Sequence, residues 1–324
     1  MLAARLIIPL VILLFPFSDA LAMKHAPEKT AIAIASFGTT YPAAVDALLA
    51  IMHDVEVNYP NIPVRMAFTS NIIRNKWHDR AEDKAYRTAH PDVPNNFYRI
   101  KSLLGTLADL QDQGYKTIVV QPTHLTDGEE FQDVQAYING LLSISTLKDH
   151  WRPFDKITLG RPLMGIWGEK HPYRVDLQSF TAALAADVAL AQAAGADLVY
   201  MGHGNQHLST GLYYELEELM NQRYPQVKTR IGTVEGHPGF SDVLDKLRLS
   251  NTKKVLLKPL MVVAGDHASK DMAGNSPVSW KSQLEAAGIT VTPVMQGLGN
   301  NPAVRQLFID HLQDAATEAG IDLH

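Results

Sequence analysis

The sequence predicts an α/β protein built from two similar halves, each a parallel sheet flanked by helices. Three observations carry this expectation. Apolar runs of strand length alternate with segments of helical period, the runs fall into two sets of four, and short Gly- and Pro-bearing motifs recur in the same order in both sets. A chain of 324 residues also suits two domains, at roughly 100–200 residues each.

Taken in order, the chain opens with "MLAARLIIPLVILLFPFSDALAMKH". Arg5 gives a positive start, Leu6 to Phe17 a short apolar core, and Ala20-Leu21-Ala22 a small-x-small cleavage signal, so residues 1–22 read as a secretory signal peptide. The core is shorter than the ~20 residues that span a bilayer. A soluble periplasmic protein starting near Met23, with no membrane span after cleavage, is therefore expected.

The first set of strands is "AIAIASFG", "VRMAFTS", "TIVVQP" and "ITLGRPLMG". Between the first two, Thr40 is expected to cap a helix with Pro42 in its first turn, and Val45, Leu48, Leu49, Met52 and Val55 form its apolar stripe. The alanine-rich stretch Asp176 to Ala194 reads as one helix crossing between the halves. The second set is "DLVYMGHG", "TRIGTVEG", "KVLLKPLMVVAG" and "ITVTPVMQG", with Leu212, Leu216, Leu219 and Met220 striping its first helix. A last helix is expected from Asn301-Pro302, burying Val304, Leu307, Phe308 and Leu312 and ending before Gly320.

The halves align at strand ends. "SFGTT" occupies the place of "GHGNQ", Tyr59-Pro60 that of Tyr224-Pro225, and "QPTHLTDGEEF" that of "KPLMVVAGDHA", so that Gly128 matches Gly265. The first half is 23–170 and the second 171–300, with the helix 301–319 a candidate to rejoin the first.

Composition narrows the chemistry. A net charge of -5 with no basic run argues against nucleic acid. The absence of cysteine excludes disulfides, thiolate metal sites and cysteine nucleophiles, leaving His, Asp and Glu as metal ligands. "GHGNQH" lacks the spacing of a dinucleotide fingerprint and the lysine of a P-loop, and the chain has no G-x-S-x-G elbow.

Ligands of open α/β sheets bind beyond the carboxyl ends of the strands. In the second half those positions hold His203, Glu235 and His267, which together suit a divalent cation such as cobalt, iron, nickel or zinc. The matching positions of the first half hold Phe37, Ser70 and Glu130, so that side offers an aromatic face and, with Glu129, carboxylates. His207 ranks below His267 because Gly204 intervenes, and His237 is a neighbour of Glu235. The other histidines, His311 among them, default to surface or capping roles.

The motifs "SFGTTY", "QPTHLTDGEEF", "MGHGNQH", "VEGHPG" and "KPLMVVAGDHASKDMAG" closely resemble the anaerobic sirohydrochlorin cobaltochelatases, class II tetrapyrrole chelatases, from Thr30 to the final helix. The resemblance implies two Rossmann-like halves with four-stranded parallel sheets and ATP-independent insertion of cobalt(II), or iron(II), into a sirohydrochlorin-like tetrapyrrole in the cleft. It assigns His203 and His267 to metal handling and proton acceptance, with Glu235 completing the metal site. Glu130 is then a candidate proton acceptor, Phe37 and Glu129 substrate contacts, and Arg74, Lys76, Arg80 and Lys270 partners for the substrate's carboxylate rim. A homo-oligomer is compatible with this reading.

The leader departs from a cytoplasmic biosynthetic role and motivates alternatives. One is an exported haem- or metal-carrying protein, with His124 as axial haem ligand. Another is a periplasmic solute-binding protein, which leaves the three strand-end ligands unexplained.

Overall fold

Ile and Ala alternate through "TAIAIAS", so neither face of this segment offers a polar side chain to water, and it suits only a sheet covered on both sides. In the computed structural model, which describes residues 29–324, it forms β1 (Thr30–Ser36), with Ala31 to Ala35 completely buried. β1 is flanked by β2 (Val64–Phe68) and β3 (Thr117–Pro122), and β4 (Lys156–Leu159) closes the sheet in the order β2-β1-β3-β4, all parallel. The leader expected over 1–22 lies outside the described residues.

A second parallel sheet repeats the first. β5 (Asp197–Gly204), β6 (Thr229–Glu235), β7 (Lys254–Leu260) and β8 (Thr290–Pro293) are ordered β6-β5-β7-β8, the same permutation displaced by four. The eight expected strands and the duplication are thus observed. β4, β7 and β8 are shorter than their apolar runs, and β8 ends on Pro293, which cannot donate to a ladder.

Helices cover both sheets. In the first lobe these are α1 (Val45–Asn58), α2 (Asn71–Glu82), α3 (Lys84–Ala89), α4 (Leu103–Asp112) and α5 (Glu129–Leu142). Thr40 does not cap α1: Thr39 Oγ1 accepts from the Tyr41 amide at 3.1 Å and Pro42 opens a 3-10 turn. The stretch expected as one crossing helix is two, α6 (Tyr173–Ala183) and α7 (Ala185–Ala193). Leu184 (φ −84°, ψ 4°) leaves helical geometry at the corner and is wholly buried there, so α6 can pack on α8 (Leu212–Arg223) while α7 packs on β5.

The second lobe adds α9 (Phe240–Leu249) and α10 (Trp280–Ala286). The last helix, α11 (Pro302–Glu318), is capped by Asn301 and returns to the first lobe, packing on α1, β3, β4 and α6. One apolar layer therefore runs through both lobes, including Ile32, Ile34 and Val119 of the first sheet, Leu198, Tyr200 and Leu256 of the second, and Phe308 and Leu312 of α11. The outer faces have their own clusters, around Val120 and Leu107 in one lobe and Leu257 and Trp280 in the other.

Buried charges in the seam are paired, as burial requires. Arg161, following β4, donates to both oxygens of Asp176 at 2.7 and 2.9 Å and reaches Asp314 of α11 at 2.9 Å. His311, expected at the surface, is buried, its Nε2 3.3 Å from Asp176 Oδ1. In the second lobe Lys258 is buried against Asp187, which also accepts from Tyr200 Oη at 2.7 Å. No helix among the described residues is long and apolar enough to cross a membrane.

Candidate metal centre

The chain must turn sharply after β5 without moving away from β6, and Gly204 permits it. Its φ is +80°, and a Cβ there would stand 1.8 Å from the Glu235 carbonyl oxygen. Gly38, its counterpart after β1, has φ +96°. The turn sets His203 at the rim, where Nδ1 lies 2.9 Å from the Gly204 carbonyl. A carbonyl can only accept, so Nδ1 carries the proton and Nε2 keeps its lone pair.

His267 follows β7 and starts the single π-helical turn Ala268–Met272, a wide turn common at functional sites. Its Nδ1 donates to Asp271 Oδ2 at 2.7 Å, which again frees Nε2. The two rings meet edge to face, centroids 5.1 Å apart at 76°. Two imidazoles from segments that follow different strands thus stand side by side, the kind of nitrogen pair that a borderline divalent cation takes.

Glu235 ends β6 in register with Gly204, with its side chain exposed, and no three His, Asp or Glu side chains are grouped as for a metal among the described residues in this arrangement.

The other expected residues sort by where their side chains go. Glu130 stands close enough to the β5 turn to act on Tyr213, whose hydroxyl is pushed up to about 12, mainly by burial, against the Gly204 amide that it accepts from at 3.4 Å and with a smaller contribution from the Glu130 charge. Phe37 is exposed just after β1, as are Ile72 in the first turn of α2 and Leu208 in the 3-10 turn after β5. Ser70 caps α2, accepting from the Ile73 amide at 3.4 Å.

Among the basic residues, Arg74 is committed to the carbonyls of Phe68 (2.6 Å) and Thr69 (3.1 Å) and to Asn71. Arg80 donates to the Thr40 carbonyl at 2.6 Å and lies over the rings of Trp77 and Tyr86. Lys270 pairs with Asp266 at 2.8 Å, while Lys76 is exposed. Glu129 accepts from the Gln206 amide at 3.2 Å. His207 accepts from the Ser209 amide through Nδ1, away from the histidine pair, and His237 is exposed 3.9 Å from Asp242.

The axial-ligand reading of His124 is not supported by its setting. Both ring nitrogens are shielded from solvent and unpartnered, and burial holds the imidazole down to about 4. An axial ligand needs a nitrogen open to the iron, and this ring presents none.

Two features escaped sequence reasoning. Asp271 was legible, because i to i+4 spacing from His267 places both on one side of a helical turn. The hydrogen bond from Tyr41 Oη to Asp266 Oδ1, 2.8 Å long, joins residues from different lobes and had no local signal. It raises the Tyr41 hydroxyl, while Lys270 first and Tyr41 second hold the Asp266 carboxyl down. A separate cavity of about 400 Å³, lined by Arg65, Met66, Arg99 and Lys101, opens near the start of β2, the end remote from the histidines.

The family described as cobalt chelatase (CbiK) matches residues 30–317. The chain belongs to this family. It is 32% identical over 293 residues to the sirohydrochlorin cobaltochelatase of Salmonella typhimurium, covering 90% of this chain and 98% of that one. To the sirohydrochlorin cobaltochelatase CbiKC of Nitratidesulfovibrio vulgaris it is 30% identical, covering 91% and 93%. Among solved structures, SirB from Bacillus subtilis with Fe3+ superposes with TM-score 0.56 at 13% identity over 91% of this chain and all of that one. At such identity the likeness shows the shared fold: two four-stranded parallel lobes of the chelatase type.

Proposed function

We propose that this chelatase-family chain inserts cobalt(II), taken up as substrate, into a sirohydrochlorin-type tetrapyrrole held between the lobes. The observation that carries the reading is the close meeting of the His203 and His267 imidazoles, each with Nδ1 engaged and Nε2 free. Two neutral nitrogens hold a divalent ion without burying it, and the remaining positions stay open to incoming pyrrole nitrogens. Insertion replaces two pyrrole N–H protons by one metal ion and changes no oxidation state. The ion therefore leaves the imidazoles as two protons arrive on bases, for which the freed Nε2 atoms and the Glu130 carboxylate are the candidates of this reading. The exposed apolar side chains Phe37, Ile72 and Leu208, in the segments that follow β1, β2 and β5, are candidates for contact with a macrocycle.

An absorbance assay of cobalt(II) insertion into sirohydrochlorin tests this. His203→Ala and His267→Ala are each expected to lower the rate at least 100-fold, and wild-type rates in both would overturn the assignment. Running iron(II) in parallel separates the two metals, since both suit nitrogen ligands. We further read the first 22 residues as an export signal, which places the mature protein in the periplasm; an N-terminus near Met23 on protein from that fraction is the expected finding.

A further inference from the structure

The two lobes exchange loops according to the internal duplication. After β1, the turn at Gly38 brings Thr39 against Gly265, where a Cβ would stand 3.2 Å from Thr39 Oγ1, and Tyr41 donates to Asp266. After β5, the turn at Gly204 brings Asn205 against Gly128, where a Cβ would stand 3.1 Å from Asn205 Nδ2. Asn205 Nδ2 donates to Thr126 Oγ1 at 3.1 Å and the Gln206 amide donates to Glu129 at 3.2 Å. Gly128 and Gly265 are equivalent in the repeat, as are the acids that follow them, Glu129 and Asp266. Each crossing therefore uses the same parts: a turn residue lying over a glycine, and a hydrogen bond to the next carboxylate.

Both crossings end on a metal-binding segment. One holds the residue before His267, and the other holds the residues just after His203. The histidines belong to the second lobe, yet each segment has its anchor in the first.

We propose that Tyr41 and Glu129 are positioning residues, which set the separation of the two imidazoles by pinning their segments across the cleft. This rests on the metal-insertion reading of the histidine pair. Glu129 then acts as a hydrogen-bond acceptor, a role an amide oxygen of the same reach can also fill, unlike that of a charged substrate contact or proton acceptor.

The test is cobalt(II) binding to the full chain without tetrapyrrole, read by titration and by the visible cobalt(II) spectrum. Losing one hydrogen bond of this kind corresponds to about a three- to tenfold change. Tyr41→Phe and Glu129→Ala should each weaken cobalt(II) by about that factor and alter the spectrum, whereas Glu129→Gln, which keeps the acceptor, should restore both. Unchanged affinity and spectrum in Tyr41→Phe and Glu129→Ala, whatever happens to thermal stability, would overturn the proposal, as would a Glu129→Gln variant no better than Glu129→Ala. No insertion assay enters this comparison, so failure of the wild-type chain to metallate sirohydrochlorin is a separate result that counts against the function alone.

Discussion

At the scale of single residues, the candidate centre is decided by which nitrogen of each histidine is occupied. Asp271 fixes His267 through Nδ1, and such a carboxylate both orients the ring and raises its basicity as a ligand. Asp271→Asn keeps the shape but offers the ring an amide, and cobalt(II) affinity is expected to fall about 10-fold in a titration. Gly204 is as constrained by geometry as the histidines are by chemistry. With positive φ and the Glu235 carbonyl 1.8 Å from the would-be Cβ, Gly204→Ala must push β5 and β6 apart at the site; the expected result is a loss of about 2–4 kcal/mol in urea unfolding, together with loss of metal binding. His124 makes a pH prediction. Its folded value, about 4, lies below the ordinary 6.5, so between those pH values the unfolded chain binds a proton that the native chain does not. Stability therefore falls as pH drops from about 6.5 to about 4, by up to about 3 kcal/mol. Denaturation series at several pH values should show this slope reduced in His124→Gln.

At the scale of elements, strand ends do what helices and strands alone cannot. β5 and β7 are hydrogen-bonded neighbours, so residues that follow them come close although more than sixty positions separate them in the chain. The strands themselves were legible from apolar runs, and so was the duplication, because covered parallel strands must be apolar along their whole length. Less legible were features set by packing. The break at Leu184 occurs inside an alanine-rich stretch with every local reason to stay helical; it is imposed by the different surfaces that α6 and α7 must cover. Arg74 and Arg80 look like substrate-facing cations in the sequence, but the open carbonyls at the end of β2 and after β1 capture both guanidinium groups.

At the scale of the whole molecule, the lobes are joined by a common apolar layer, by α11 and by the Arg161–Asp176–His311 cluster. Phe308 sits in that layer with no exposure, and Phe308→Ala is expected to cost about 3–5 kcal/mol. Because the layer belongs to both lobes, unfolding should remain one transition, with circular dichroism and tryptophan fluorescence shifting together. Resolution into two steps would show that the lobes are independent. The sequence by itself determined the alternation of strands and helices, the repeat, and the placing of His203, Glu235 and His267 at strand ends, because all of these follow from local periodicity and glycine-bearing turns. Only the tertiary structure decided that the His203 and His267 rings meet edge to face, and that Tyr41 and Glu129 reach across from the other lobe. The physical reason is that side-chain direction and lobe closure depend on contacts between residues distant in sequence, and no local pattern encodes those.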